Sequence, residues 1–534
     1  MTEKKVLLGD EAVALAAIHS GLAAAYSYPG TPASEVMEYL IREAQKGNKF
    51  IASWSVNEKV AYEQALGVSF AGKRALVSMK HVGLNVAADP FINSSLTGAN
   101  GGLVLVVADD PNMHSSQDEQ DSRFYAQLAQ VFCFEPTNHQ EAYDMTRQAF
   151  DLSEAVGLPV MIRLVTRLAH SRSSVEPRPP VQPQTLPPGE RSHWTLLPIN
   201  ARRRFRVVLD KQSELLRLSE ESPFNQLKLS PENASLGIIA SGIAANYVLE
   251  NWPDLKPPPS FLKISTYPLP EKLIRRLIER VTTILVVEEG YPLIERALRG
   301  IMGLPGKIIK GKLSGDLPSS GELSPDLLRP ALALSPWSQV KVNSLPLAPR
   351  PPQLCPGCPH ADTFLALKEA LKDFPQAVVF SDIGCYTLGY FPPYNAIDTC
   401  VCMGASIGMA KGGAEAGLRP SVAVIGDSTF GHSGLPPLLE AARANTPMTV
   451  IILDNGTVAM TGGQMSYASG EPLLKIIEGL GVDRKHLRTI EPLPKNLAQN
   501  VAIIREEINH PGLSVIVAVR ECVQEARKRK RPQE

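Results

Sequence analysis

Short β-branched runs that stop abruptly at Gly, Ser or an acidic residue recur along this chain, and they constrain its fold more than any other feature. Leu103–Val107 precedes Ala108-Asp109-Asp110-Pro111, Leu236–Ala240 precedes Ser241-Gly242, and Thr283–Val287 precedes Glu288-Glu289-Gly290. Val378–Phe380 precedes Ser381-Asp382-Ile383-Gly384, Val422–Ile425 precedes Gly426-Asp427, and Val450–Leu453 precedes Asp454-Asn455. Val160–Val165 has the same character. The runs are continuous rather than alternating, and helical stretches follow them. Such strands are buried on both faces, as in a parallel sheet, and ligands bind at their carboxyl ends. The pattern predicts an α/β protein of three parallel-sheet domains.

Proline marks the boundaries. Glu176–Gly189 carries six prolines and Leu345–Pro352 four, and both read as extended connections. At roughly 150 residues per domain, the length accommodates three or four domains. The expected division is residues 1–175, a Pro-rich and connecting segment 176–230, then 231–345, 353–525 and a basic tail 526–534. Within 190–230, Arg202, Arg203, Arg204 and Arg206 read as a solvated face. Lys+Arg and Asp+Glu both number 54, so bulk charge does not suit the chain to coating nucleic acid. No apolar run reaches the ~18 residues of a membrane span, and the charged N-terminus lacks a signal peptide's apolar core. A cytoplasmic protein is expected. Seven cysteines are too few, and odd in number, for a disulfide scaffold.

The densest chemical signal lies between Ser421 and Gln464. One apolar run ends in Gly426-Asp427-Ser428, and a second ends in Asp454-Asn455-Gly456-Thr457, with Asn455 28 positions after Asp427. On adjacent parallel strands, Asp427 and Asn455 would stand side by side. A carboxylate, an amide oxygen and a backbone carbonyl form the hard oxygen set that Mg²⁺ shares with a diphosphate. Gly426 would allow close approach of backbone to phosphate. The spacing is similar to the Gly-Asp-Gly…Asn pattern of thiamine diphosphate enzymes, with Ser428 in the third position. Read without that likeness, Asp427 and Asn455 are also ordinary helix caps. Such enzymes also carry a glutamate that acts on the aminopyrimidine ring. Glu58, after Ile51–Asn57 and before helical Lys59–Phe70, stands where that residue is expected; its bland reading is a surface glutamate in a first helical turn.

Seven segments together carry a family resemblance. They are Leu7–Ala12 (LLGDEA), Tyr28–Glu35 (YPGTPASE), Met79–Asn85 (MKHVGLN), His114–Arg123 (HSSQDEQDSR), Cys355–His360 (CPGCPH), Asp382–Gly389 (DIGCYTLG) and Asp398–Ser406 (DTCVCMGAS). In this order the chain resembles the large (alpha) subunit of the indolepyruvate:ferredoxin oxidoreductases, within the 2-oxoacid:ferredoxin oxidoreductases. The resemblance implies a pyrimidine-binding domain, a transketolase-C-like middle domain and a diphosphate-binding domain. It implies that Asp427, Asn455 and the Thr457 carbonyl hold Mg²⁺ and that Glu58 activates the cofactor. Thr31 and Pro32 would border the substrate pocket, and Lys80 or His81 would meet the substrate carboxylate. Gly426, Ser428 and Met403-Gly404 would border the cofactor, with Met403 and Met460 either bracing it or serving as plain core.

Cys355 and Cys358 form a CxxC, and Cys385 follows 27 positions after Cys358. In relatives such cysteines supply three ligands of a [4Fe–4S] cluster. Cys400, Cys402 and Cys522 are the candidates for a fourth; a zinc site and a set of reduced buried thiols are the other readings. The family usually continues into a ferredoxin-like module with CxxCxxCxxxC runs, and these 534 residues contain none. The expected activity is oxidative decarboxylation of an aryl-substituted 2-oxo acid with coenzyme A. A smaller companion subunit, a separate ferredoxin or other electron carrier, and a hetero-oligomer built on a dimer are implied. A non-oxidative thiamine diphosphate-dependent decarboxylase and a non-catalytic scaffold of the same fold are the alternatives.

Overall fold

The computed structural model describes residues 4–187, 189–337 and 352–529. Most of Leu345–Pro352 and the end of the basic tail lie outside the described residues. The chain divides into two compact units, Met1–Lys341 and Val342–Glu534.

All seven apolar runs are strands. In the first unit a seven-stranded sheet has the order Thr266–Tyr267, Cys133–Phe134, Val160–Val165, Leu103–Asp109, Ala75–Lys80, Ala24–Ser27, Ile51–Trp54. Only the pairing of Thr266–Tyr267 with Cys133–Phe134 is antiparallel. Residues along its strands alternate between two cores. Leu76, Val104 and Val106 pack with the helices Gly9–His19, Ser34–Gln45 and His139–Val156. Val77, Met79, Leu105 and Val107 pack with Glu58–Phe70 and His81–Thr97. Apolar side chains on both faces explain why the runs are continuous.

A five-stranded sheet in the same unit has the order Ile308–Lys310, Thr283–Val287, Leu236–Ser241, Ser260–Ile264, Gln226–Lys228, with only the last strand antiparallel. Its strand Ser260–Ile264 runs on directly into Thr266–Tyr267 of the larger sheet. Two buried arginines join the sheets further. Arg163 reaches Asp109 at 2.6 Å and the Glu289 carbonyl at 3.2 Å. Arg123 reaches Glu288 at 3.1 Å, the Tyr267 hydroxyl at 3.0 Å and the Tyr291 carbonyl at 2.9 Å. Asp121 pairs with Arg123, and Glu135 with Arg163. Burial pushes the Asp109 and Glu288 carboxyls up, whereas Arg123 and Arg163 hold Asp121 below the usual range against its own burial.

The proline-rich stretch after Glu176 is strapped to the first unit: Val181 N–H donates to the His19 carbonyl and Leu186 N–H to the Gly72 carbonyl, both at 2.8 Å. Gly72 has φ +77°, and a Cβ there would stand 2.1 Å from the Leu186 carbonyl oxygen, so glycine is required where the strap crosses. The arginine-rich segment forms the helix Pro198–Glu220, which buries Val208 and Leu215. Arg202, Arg203 and Arg206 are exposed, as expected; Arg204 instead turns inward to the Leu96 carbonyl at 2.7 Å.

In the second unit, five parallel strands run in the order Val378–Phe380, Ser421–Gly426, Thr449–Asp454, Ser514–Val519, Leu487–Ile490. Their two faces are covered in the same alternating way. Val424, Ile451 and Ile516 lie in one core, and Ile425, Val450 and Val517 in the other. The start of the expected basic tail, through Arg529, is the last part of the helix Val523–Arg529 rather than an irregular end. Among the described residues, no helix is long and apolar enough to cross a membrane.

Removing one member of a buried ion cluster leaves charge uncompensated and costs about 3–5 kcal/mol. Arg123→Met is therefore expected to destabilise the protein by about that much in urea unfolding, while Lys46→Met, at an exposed pair with Glu43, changes it by less than ~0.5 kcal/mol. Equal effects of the two substitutions would refute a joining role for Arg123.

Candidate active site

The site residues stand where buried strands end and polar groups become affordable. In the second unit the register pairs Gly426 with Leu453 on neighbouring parallel strands. Asp427 and Asn455 therefore emerge on one edge. Asp427 is 2% exposed; its Oδ1 accepts from the Ser428 amide at 2.8 Å and its Oδ2 from the Gly456 amide at 2.9 Å. Burial, then the neighbouring Asp454, pushes the Asp427 carboxyl up to about 8. A carboxylate buried beside a second carboxylate favours a bound cation, and the donors here are oxygens. The Asn455 Oδ1 accepts from the Thr457 amide at 3.0 Å. Its Nδ2 lies 3.1 Å from the Nε2 of His360, which burial pushes down to about 4 and so keeps neutral at pH 7. A neutral imidazole nitrogen accepting from the amide nitrogen fixes the Asn455 oxygen on the other side, where it accepts from Thr457 and keeps a second lone pair of the kind that suits a hard divalent ion. Asp454 takes the Ser469 hydroxyl at 2.6 Å and the Gly470 amide at 2.7 Å. Asn455, Gly456 and Thr457 line a cavity of about 500 Å³ with Asp454, Met465 and Glu521.

Gly426 has an ordinary backbone conformation, and the space its Cβ would take is filled by the Tyr386 ring, 2.7 Å away. The Tyr386 hydroxyl donates to Asp382, whose carboxyl is pushed up to about 6 by burial. Gly404 has φ +84° and caps the helix Ala405–Glu415; a Cβ there would meet that of Ser433 at 2.4 Å. Met403 is half-buried, and Met460 is 59% exposed, so the core reading of Met460 does not hold.

The six cysteines of the second unit separate into two groups. Cys355, Cys358, Cys385 and Cys522 line one cavity of about 90 Å³, together with His360 and Asn455. Burial, then its neighbours Cys358, Cys522 and Cys355, pushes the Cys385 thiol up to about 12. Cys522 arrives from far along the chain because its amide donates to the Asn455 carbonyl at 3.2 Å. Cys400 and Cys402 are exposed and lie outside this cavity's lining. Four thiols lining one mainly apolar cavity are residue types that could carry a thiolate-bound metal centre, whose positive charge would offset the cost of ionising them.

In the first unit, Glu58 begins the helix Glu58–Phe70, whose cap Asn57 accepts from the Val60 amide at 2.9 Å. Glu58 is only 5% exposed, which overturns the surface reading. It packs on Gly83: a Cβ at that position would stand 2.6 Å from the Glu58 Oε1. Lys80 ends its strand half-buried. Burial lowers its ammonium pKa, while Asp110, Asp118 and Glu58 oppose the shift. Its Nζ donates to the Ser115 carbonyl at 2.9 Å, and the Ser115 hydroxyl donates to the Thr31 carbonyl at 3.1 Å. Lys80, Thr31 and Glu58 thus share one neighbourhood. His81 is 1% exposed, with Nε2 at 3.2 Å from the Asp118 carbonyl and Nδ1 without a hydrogen-bond partner. Sequence reasoning missed Gly83, Ser115 and Asp110 although they lie in or beside quoted motifs; their spacing carries no chemistry until the loops fold together. His360 was within reach as the residue that ends Cys-Pro-Gly-Cys-Pro-His.

Residues 15–205 match the thiamine diphosphate-binding family of pyruvate flavodoxin/ferredoxin oxidoreductases, and residues 382–518 match the C-terminal TPP-binding domain of thiamine pyrophosphate enzymes. The chain is 38% identical to the indolepyruvate oxidoreductase subunit IorA of Archaeoglobus fulgidus, over 97% of this chain and 86% of that one. It is 34% identical to the same subunit of Pyrococcus abyssi, again over 97% and 86%. A solved 2-oxoglutarate:ferredoxin oxidoreductase from Magnetococcus marinus aligns over 61% of this chain and 64% of that one, at 17% identity and a TM-score of 0.49. The chain belongs to the indolepyruvate oxidoreductase IorA family of thiamine diphosphate-dependent 2-oxoacid oxidoreductases.

Proposed function

We propose that this chain is the catalytic large subunit of an enzyme that converts an aryl-substituted 2-oxo acid, such as indolepyruvate, to its acyl-coenzyme A and CO₂. Atoms and charge balance when the 2-oxo carboxylate and the CoA thiol give the thioester, CO₂, one proton and two electrons. The electrons pass to ferredoxin or another low-potential acceptor. The observation that carries the oxidative reading is the cavity in which Cys355, Cys358, Cys385 and Cys522 meet beside Asn455. A decarboxylase that releases an aldehyde needs no electron exit there.

Asp427, Asn455 and the Thr457 carbonyl would hold Mg²⁺ and, through it, the diphosphate; the buried oxygen donors and the raised Asp427 carboxyl support that assignment. Bound thiamine diphosphate supplies the carbon nucleophile and the electron sink. Glu58 would hold a proton at the aminopyrimidine ring, and its burial against Gly83 fixes its carboxyl for that task. Lys80 would meet the substrate carboxylate, with Thr31 bordering the pocket. His81, turned toward Asp118, would orient the Asp118 loop rather than touch substrate. The four cysteines would bind a [4Fe–4S] cluster, with Cys522 as the fourth ligand. A smaller companion subunit and a separate electron carrier would complete a hetero-oligomer built on a dimer.

Glu58→Gln is expected to lower turnover of indolepyruvate with coenzyme A by roughly 10²–10⁴-fold while thiamine diphosphate still binds, as removal of a proton-transfer group does. Unchanged turnover would remove Glu58 from the chemistry, and aldehyde release without acceptor reduction would favour the non-oxidative enzyme.

Protein purified without oxygen is expected to hold about four iron and four sulfide per chain, the content of one such cluster. Cys522→Ser should lose most of both, and a Cys400→Ser, Cys402→Ser double variant should keep them. The reverse pattern would assign the fourth ligand to the exposed pair.

A further inference from the structure

We infer that Asp10, Glu35 and His170 form a site for a divalent first-row transition-metal ion, in addition to the sites considered above. One ligand atom from each residue lies within 4.8 Å of those of the other two. The three come from separate elements: Asp10 and Glu35 each occupy the second position of a helix, Gly9–His19 and Ser34–Gln45, and His170 ends the short helix Thr166–His170.

Asp10 is the observation that calls for a ligand. It is 0% exposed, and both of its carboxylate oxygens are without a hydrogen-bond partner. The Val36 amide faces it without reaching hydrogen-bond geometry. A carboxyl buried in this way costs several kcal/mol unless something compensates it. Burial, then Glu35 and Glu11, drives its pKa well above the carboxylate range. Nearby cations are engaged elsewhere. Arg42 pairs with Glu11 at 3.2 Å, and Arg167 with Glu322. His170 Nε2 already meets Glu35 Oε2 at 3.2 Å, so one imidazole faces two carboxyls. A divalent cation neutralises both acids at once and gives the orphaned Asp10 oxygens a partner.

The donor set selects the kind of ion. Mg²⁺ and Ca²⁺ take oxygen ligands, whereas one imidazole nitrogen with two carboxylates suits Mn²⁺, Fe²⁺ or Zn²⁺. The Glu35 and His170 side chains are 31% and 32% exposed, which leaves an entry path and room for water in the remaining positions. The ion would tie the helix that follows Thr31-Pro32-Ala33 to the segment after the strand Val160–Val165. There Thr166 donates to Asp110 at 2.7 Å, and Asp110 in turn accepts from the Ser115 amide at 2.8 Å. The site therefore braces the loop that carries Thr31 from behind.

The test is Mn²⁺ binding to the full chain in the presence of thiamine diphosphate and saturating Mg²⁺, which occupies the all-oxygen site. Bound Mn²⁺ is counted by equilibrium dialysis, and its ligands are read by pulsed electron paramagnetic resonance. One Mn²⁺ with imidazole-nitrogen coupling is expected. Asp10→Asn should weaken it by roughly tenfold or more, and His170→Ala should also abolish the nitrogen coupling. His170 is partly exposed, so its variant is expected to keep the wild-type circular dichroism and serves as the control should Asp10→Asn not fold. Absence of Mn²⁺ binding beyond the Mg²⁺-competed fraction, or wild-type binding in His170→Ala, would overturn the site.

Discussion

A strand buried on both faces can place polar chemistry only at its ends, and that constraint organises both units of this protein. Ala75–Lys80 delivers Lys80 and then His81; Leu103–Asp109 delivers Asp109 and Asp110; Thr283–Val287 delivers Glu288 and Glu289. In the second unit Ser421–Gly426 delivers Asp427, and Thr449–Asp454 delivers Asp454 and Asn455. Acidic residues crowd these edges, and each one needs compensation in a medium that solvates charge poorly.

The compensation differs from site to site, and with it the role of the residues. At Asp109, Asp121, Glu135 and Glu288 it comes from Arg123 and Arg163, so these acids hold two sheets together. At Asp427 it comes from two backbone amides, and the carboxyl remains pushed up to about 8. At Asp10 no hydrogen bond is made at all. The gradient runs from a fully paired cluster, through a carboxyl met by backbone amides, to an orphan. The neutral His360 belongs to the same logic: it orients the Asn455 amide without adding charge, and the Asn455 carbonyl in turn anchors Cys522. The edge proposed to hold metal and diphosphate and the cysteine cavity are thereby built on one backbone turn.

Much of this was legible beforehand. The seven apolar runs announced the strands because continuous β-branched residues have few other uses. That Asp427 and Asn455 leave neighbouring parallel strands at one edge was legible because each residue closes its own apolar run. Cys522 was one of three candidate partners for Cys355, Cys358 and Cys385; its place beside Cys385 goes with a hydrogen bond to Asn455 that no local pattern encodes. Asp121 and Arg123 lay in a segment that carried the family resemblance, yet their work is structural, and sequence alone does not separate motif residues that react from those that brace. Gly83 carries no signal of its own within Met79–Asn85, because its role arises only where its helix meets Glu58. The strap after Glu176 read only as an extended connection, because its hydrogen bonds to His19 and Gly72 join residues distant in sequence.

The central claim is that the strand-end pair Asp427 and Asn455 holds thiamine diphosphate through a divalent ion. Calorimetric titration of the full chain with thiamine diphosphate, with and without Mg²⁺, tests it most directly. The account predicts Mg²⁺-dependent binding in the wild type that falls by roughly 10²-fold or more in Asp427→Ala, in keeping with the loss of a charged ligand. Binding that is indifferent to both Mg²⁺ and Asp427 would contradict it.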